Sequence, residues 1–249
     1  MDQEHKPHSS YRIDLLVPVY NEKENFLAFY HALLKYAASD WRLMIIYDFP
    51  EDTTLEAARP IAEKDPRVVL VQNRGRGVLN AILTGFEAAE SEAILEMMVD
   101  DPPSVIEKID EMVRVFYEKN AAVVAASRYM PGGSHKGGPF LKGFLSRMAG
   151  LSLNWLIRIP IHDATYNTRL YRKSFIQKIP LESDKGFEIA LEITIKAYLM
   201  GETVAEVPVH WFEDNIRPSR FNFRKWLPAY LRWYWYGIKN YWFNGISKS

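Results

Sequence analysis

Five short apolar runs alternate with helix-like segments through the first half of the chain, and this alternation restricts the fold more than any other feature. The runs are Ile13–Tyr20, Leu43–Phe49, Val68–Gln72, Ala93–Val99 and Ala121–Ser127. Between them lie Glu22–Tyr36, Thr53–Glu63, Val78–Ala89 and Ser104–Tyr117. Strands alternating with helices predict a mostly parallel sheet with helices on both faces. The runs lack strict apolar–polar alternation, as expected when both faces of a sheet are covered. Ser104 follows two prolines and precedes Glu107, which predicts a capping box.

The second half reads differently. Met130 to Pro139 is rich in glycine and proline and reads as a loop. Phe140–Ile157 reads as a helix with a broad stripe from Leu141, Leu145, Met148, Leu151, Leu153 and Leu156. Phe187–Met200 reads as an amphipathic helix stopped by Gly201, and Thr203–Phe212 as a strand. The tail is dense in Trp and Tyr and reads as helical, broken near Pro228. The division expected is a main domain over 1–225 and an aromatic amphipathic tail over 226–249, without a linker between independent units.

Composition narrows the function classes. Lys+Arg and Asp+Glu both number 31, so the formal charge is zero and nothing suggests a wholesale nucleic-acid binder, which is usually strongly basic. The chain has no cysteine, which excludes disulfides and thiolate metal sites and is compatible with a reducing compartment. The first ten residues are polar, so no signal peptide is predicted. No apolar stretch approaches the roughly 18 residues of a transmembrane helix. The expected location is cytoplasmic, with peripheral contact at the cytoplasmic face of a membrane as an open alternative.

In α/β sheets, ligands bind at the carboxyl ends of the strands. Val17-Pro18-Val19-Tyr20-Asn21-Glu22 closes the first strand there, and Asp100-Asp101 closes the fourth. Pro18, Tyr20, Asn21 and Glu22 frame a nucleotide base in one reading; in the other, Asn21 caps a helix. Asp48 at the second strand end suits a base N–H, whereas Asp52 suits a helix cap. Asn73-Arg74-Gly75-Arg76-Gly77 before a helix suits a diphosphate, because glycine admits close backbone approach and a helix start offers N–H groups. The dinucleotide G-x-G-x-x-G spacing is not there. Adjacent Asp100 and Asp101 repel unless a cation or hydrogen bonds offset them. Mg²⁺ or Mn²⁺ takes such oxygen ligands and bridges to diphosphate; the alternative is an Asp-Pro turn. Arg128, Arg147 and Arg220 suit phosphate oxygens, and each could equally be a solvated arginine. Asp163 and Glu192 are the two candidate general bases.

Taken in order, these segments resemble a family 2 glycosyltransferase of the polyprenol-phosphate, dolichol-phosphate mannose synthase-like type. The resemblance runs from about Ile13 to Trp233 through Asp48-x-x-x-Asp52-x-Thr54, Asn73 to Gly85, Ser127-Arg128-Tyr129, Ser146-Arg147, Asp163-Ala164-Thr165, Arg169-Leu170-Tyr171, Gly186-Phe187-Glu188 and Ser219-Arg220-Phe221. It implies a GT-A fold, a nucleotide-sugar donor (GDP- or UDP-sugar), Mg²⁺ or Mn²⁺, and inversion at the anomeric carbon. It implies base-binding roles for Pro18, Tyr20, Glu22 and Asp48, a metal role for Asp100 and Asp101, and phosphate-facing roles for Arg128, Arg147 and Arg220. The chain departs from the pattern in reading Glu96-Met97-Met98-Val99-Asp100-Asp101-Pro102 where Asp-x-Asp is usual, and Tyr166-Asn167-Thr168-Arg169 where Asn-Gly-Phe-Arg is usual. An ungapped alignment puts Glu96 and Met98 at the signature; Asp100-Asp101 is preferred because methionine is a poor ligand for Mg²⁺.

The acceptor implied is a lipid phosphate, already anionic, or a glycan hydroxyl, for which Asp163 or Glu192 would serve as base. A degenerate nucleotide- or glycan-binding protein and a nucleotidyltransferase are the competing classes. The aromatic tail, with Arg232 and Lys239, suits a membrane surface, the sheet, or a second subunit in a homodimer.

Overall fold

The computed structural model describes residues 12–138, 140–213 and 223–246. In chain order the elements are β1 (Arg12–Val19), α1 (Lys23–Tyr36), β2 (Asp40–Tyr47), α2 (Thr54–Ala62), β3 (Val68–Gln72), α3 (Gly77–Ala88) and β4 (Ala93–Glu96). Next come α4 (Pro103–Ile106), α5 (Ile109–Glu118), β5 (Val123–Ser127), β6 (Ser134–Gly137) and α6 (Phe140–Ile157). The chain continues through β7 (Arg169–Arg172), α7 (Lys173–Ile176), α8 (Ile189–Leu199), β8 (Val204–Pro208), β9 (His210–Glu213) and α9 (Phe223–Asn244).

The main sheet has seven strands in the order β3-β2-β1-β4-β7-β5-β8. All neighbours are parallel except that β7 runs against both β4 and β5. One face packs with α1, α4 and α5 through Leu15, Val17, Leu43, Ile45, Phe26, Ile106 and Met112. The other face, with Leu16, Met44, Ile46 and Ile94, packs with α3, α6, α8 and α9 through Ile82, Leu153, Ile193 and Trp233. Successive side chains of one strand point to opposite faces, so continuous apolar runs feed two cores at once.

Several boundaries differ from expectation for identifiable reasons. β4 stops at Glu96, not Val99, because residues 98–101 form a turn: the Asp101 N–H donates to the Met98 carbonyl (3.0 Å) and the Met98 N–H to Asp101 Oδ2 (3.2 Å). No capping box forms at Ser104, whose hydroxyl donates to the His210 carbonyl (2.5 Å) while α4 starts at Pro103. The Met130–Pro139 loop contains β6, which pairs in parallel with β9. The helix of the tail passes through Pro228 unbroken, and its Trp233 is fully buried. The division expected at 225/226 therefore falls inside α9, which packs on α6 and α8.

The orientation of β7 matters most for function. Because it runs opposite to β4 and β5, its amino end lies at their carboxyl edge. Arg169 sits opposite both Glu96 and Ala125. The segment 163–168 that precedes it is delivered to the same edge as the loops after β1, β2, β4 and β5.

Candidate active site

A cleft of about 1690 Å³ runs along this edge. Its polar end is lined by Pro18, Tyr20, Glu22, Asp48, Gly77, Met98, Asp100, Asp101 and Arg128. Its apolar end lies between α6 and α9, with Leu145, Met148, Leu227 and Leu231 in the wall.

At the β1 end, Asn21 takes a left-handed backbone (φ 55°) and its N–H donates to both oxygens of Asp52 (3.1 Å each). Asn21 Oδ1 accepts the Thr53 N–H (3.1 Å), so Asn21 ties two loops together, and the N-cap position of α1 falls on Glu22, whose side chain makes no capping bond. Asp52, buried, also accepts the Thr54 N–H (2.8 Å), the structural role expected of it. Tyr20 stands 55% exposed in the cleft with Phe49 edge-on at 5.7 Å.

Asp48 faces the cleft but already holds the neighbouring turn. It accepts Asn73 Nδ2 (2.6 Å) and the Gly77 N–H (2.8 Å). Gly77 has φ +79°, a backbone that side-chain-bearing residues rarely adopt. Asn73 is buried and braces the turn further through the Gly75 N–H (3.1 Å) and the Thr84 hydroxyl (3.2 Å). Gly77 is in the cleft wall, whereas Asn73 acts from behind it.

The adjacent aspartates have different surroundings. Asp100 is exposed. Asp101 is buried and receives the Tyr166 hydroxyl (2.8 Å) and the Thr168 hydroxyl (2.6 Å). Burial first, and the charge of Asp100 second, push its carboxyl up to about 7. Met98 lines the cleft beside them, and Met97 is packed in the core. Glu96 is fully buried against Asn167 Nδ2 (3.5 Å) and the Tyr171 hydroxyl (3.3 Å), and burial pushes it up to about 8.

Three expected site residues form ion pairs within the protein. Asp163 is fully buried and pairs with Arg128 (Nε–Oδ2 2.7 Å, Nη2–Oδ1 3.0 Å). Burial raises its pKa, but Arg128 outweighs burial and holds it below the usual carboxylate range, so Asp163 stands as the counter-ion of Arg128 and is not part of the cleft lining. Arg128 also donates through Nη2 to the hydroxyls of Thr165 (3.1 Å) and Ser146 (3.2 Å), which bind each other, so Nε and Nη2 are committed to the protein while the side chain still lines the cleft. Glu192 lies outside the cleft lining: it accepts the Glu182 and Ser183 N–H groups (2.7 and 2.8 Å) and pairs with Lys196 (2.7 Å). Arg147 is exposed on α6 and not in the cleft lining. Arg220 lies outside the described residues.

Residues 14–180 match the model of glycosyl transferase family 2. The chain belongs to that family. The transferase is 28% identical over 228 residues to polyprenol monophosphomannose synthase of Mycolicibacterium smegmatis, covering 85% of each chain. It is 28% identical over 205 residues to dolichol-phosphate mannosyltransferase of Pyrococcus furiosus, covering 79% of its own length and 55% of that protein. Among solved structures it is similar in fold to glucosyl-3-phosphoglycerate synthase of Mycobacterium tuberculosis bound to Mn²⁺, UDP and phosphoglyceric acid (TM-score 0.64, 13% identity, 90% of this chain and 75% of that one). It also resembles S. aureus TarS 1–349 in complex with UDP (TM-score 0.61, 15% identity, 92% and 66%). The transferase thus has the mixed α/β GT-A architecture that the resemblance implied.

A divalent cation can be tested against the residues of the transferase. Among the described residues no three His, Asp or Glu side chains converge into a cage. Mg²⁺ often takes only one or two carboxylates and completes its shell with water and substrate phosphates. Exposed Asp100 in the cleft wall fits that kind of open site. Sequence reasoning missed Tyr166 and Thr168, the hydroxyl donors to Asp101; the unusual Tyr-Asn-Thr-Arg loop was their signal. It also missed the wall from α9, because a heavily aromatic helix reads first as core.

Proposed function

We propose that the chain transfers a hexose from a nucleoside-diphosphate sugar to a polyprenyl phosphate, with inversion at the anomeric carbon. The observation that carries this reading is the two-part cleft, polar at the sheet edge and apolar between α6 and α9. A nucleoside diphosphate suits the first part and a lipid chain the second. The names of the curated relatives, for polyprenol and dolichol-phosphate substrates, and the UDP bound by two structural neighbours support it.

In this reading Pro18, Tyr20 and Glu22 frame the base, and Asp48 holds the Asn73–Gly77 turn so that the first turn of α3 meets the diphosphate. Asp100 would hold Mg²⁺ or Mn²⁺ together with the donor. The cation, when bound, neutralises charge on the leaving nucleoside diphosphate. A lipid phosphate is anionic at neutral pH and needs no base, which agrees with Asp163 and Glu192 both being consumed by ion pairs. A glycan hydroxyl would need such a base.

The outer faces of α6 and α9 suit a peripheral seat on a bilayer. Trp155 (80%), Trp242 (67%) and Phe243 (82%) are exposed. Neither helix carries an Asp or Glu, and their cations include Arg147, Arg232 and Lys239. Aromatic and cationic side chains together favour the interface of an anionic membrane. Among the described residues no helix is long and apolar enough to cross it.

The test is transfer of labelled sugar from GDP-mannose and from UDP-glucose to polyprenyl phosphate with Mn²⁺, read as label entering the organic phase. Label that stays aqueous with both donors overturns the reading. Flotation with anionic vesicles tests the seat: protein remaining at the bottom of the gradient as a dimer assigns the same face to a second copy.

A further inference from the structure

The two departures from the family pattern, far apart in sequence, lie against each other in the fold. The acidic segment that starts at the end of β4 contributes Glu96 and Asp101. The altered loop before β7 contributes Asn167, which donates to Glu96, and Tyr166 and Thr168, which donate to Asp101; Tyr171 of β7 itself also donates to Glu96. The turn itself adds a third donor to Asp101, the Met98 N–H. The carboxylate is thereby enclosed by donors from two directions.

The donors cannot easily withdraw. The Tyr166 ring has Trp211 edge-on at 5.4 Å and the Arg128 guanidinium 4.9 Å from its centre. Arg128 in turn is held by Asp163. Thr168 is fully buried next to Arg169, whose guanidinium is bonded to the carbonyls of Asp163 (3.0 Å) and Ala190 (3.1 Å). The Thr168 hydroxyl and the Met98 N–H take Oδ2 and the Tyr166 hydroxyl takes Oδ1, so most of the acceptor capacity of Asp101 is committed to groups that the surrounding packing fixes in place. Asp100, one residue earlier, stands on the exposed side of the same turn.

We propose that Asp101 is a positioning residue: the Tyr166 and Thr168 hydroxyls clamp it, it locks the 98–101 turn, and the turn sets where the Asp100 carboxylate stands against the donor diphosphate. Asp101 itself takes no place in the cation's shell. The adjacent acids are one functional carboxylate and one anchor. This rests on the donor reading given above.

The experiment is calorimetric titration of the full chain with GDP and with UDP, with Mn²⁺ and with chelator, beside melting temperatures. The variants are Thr168→Val, Thr168→Ser and Tyr166→Phe. Thr168→Val leaves both aspartates in place and removes one hydroxyl at constant shape. A hydrogen bond to a charged group is worth about one decade of affinity, so Thr168→Val and Tyr166→Phe should each weaken Mn²⁺-dependent nucleotide binding about tenfold. Thr168→Ser, which restores the hydroxyl, should stay within about twofold of wild type. Binding as tight as or tighter than wild type in Thr168→Val and Tyr166→Phe overturns the proposal. Should Thr168→Val fail to fold, Tyr166→Phe decides alone. Failure of the wild-type protein to bind either nucleotide is a separate result: it overturns the donor reading, and this inference with it.

Discussion

The two walls of the cleft are built on opposite principles. The sheet-edge wall gathers polar groups that are mostly bonded to one another: the Asn21 N–H to Asp52, Asp48 to Asn73, Asp101 to Tyr166, Arg128 to Asp163. The helical wall, from α6 and α9, exposes large apolar side chains and carries no acid. The first wall is expensive to disturb, because removing one member leaves a buried polar group without its partner. The second has little stability at stake, since its outward side chains make few internal commitments. A wall that must present fixed charge is rigid by construction. A wall that must meet lipid needs only area and the right sign.

The contrast is broken most directly at Arg128. Its replacement by Met leaves the Asp163 carboxylate buried without its counter-charge, a change that costs about 3–5 kcal/mol in comparable buried pairs. Denaturant unfolding should show that loss, with transfer activity falling in parallel. An unaltered unfolding midpoint would mean the sheet-edge wall is not held by this pair.

The next largest effect is on pH. Glu96 is raised from 4.5 to about 8 by burial, so the folded protein keeps a proton that the unfolded chain releases. The unfolded state binds fewer protons in that window, and stability therefore falls as pH rises from about 4.5 to about 8. Asp101, raised from 3.8 to about 7, adds to the fall in the lower part of the same window. Glu96→Gln should flatten the decline in melting temperature between pH 5 and pH 8. A variant with the wild-type slope would show that Glu96 does not carry it.

A smaller effect is expected at Asp48, which holds the glycine turn from the cleft side. Asp48→Ala removes two bonds to the carboxylate and should weaken nucleotide binding roughly tenfold, read by calorimetry. The smallest effect on the fold should come from the helical wall. Combined Trp155→Ser and Phe243→Ser changes should leave stability within about 0.5 kcal/mol while reducing flotation with anionic vesicles. Loss of stability there instead would make those aromatics part of the core and erase the distinction between the walls.

Legibility in the sequence followed the same division. Local rules reached the first five strands and the helices between them, because apolar runs and their punctuation are properties of neighbouring residues. They also reached Asp48 and Tyr20 as cleft residues and Asp52 as a structural one. They did not reach β7. Arg169-Leu170-Tyr171-Arg172 reads as polar, and Arg169 is buried because the carbonyls of Asp163 and Tyr166 just before it and of Ala190 in α8, 21 residues later, satisfy its guanidinium. For the same reason Asp163 looked like a base, since nothing local shows that an arginine 35 residues earlier will neutralise it; the Lys196 partner of Glu192, four residues on in the same helix, was legible as an i,i+4 pair.

The amino-acid sequence by itself determined the family, the parallel sheet and the edge at which ligands meet it, since these depend on periodicity and on motifs read in order. Only the tertiary structure decided which acids face the cleft and which hold it together. Ionisation and hydrogen bonding are set by whatever stands within a few ångströms, and here those neighbours come from segments that the chain brings together only when β7 reverses direction.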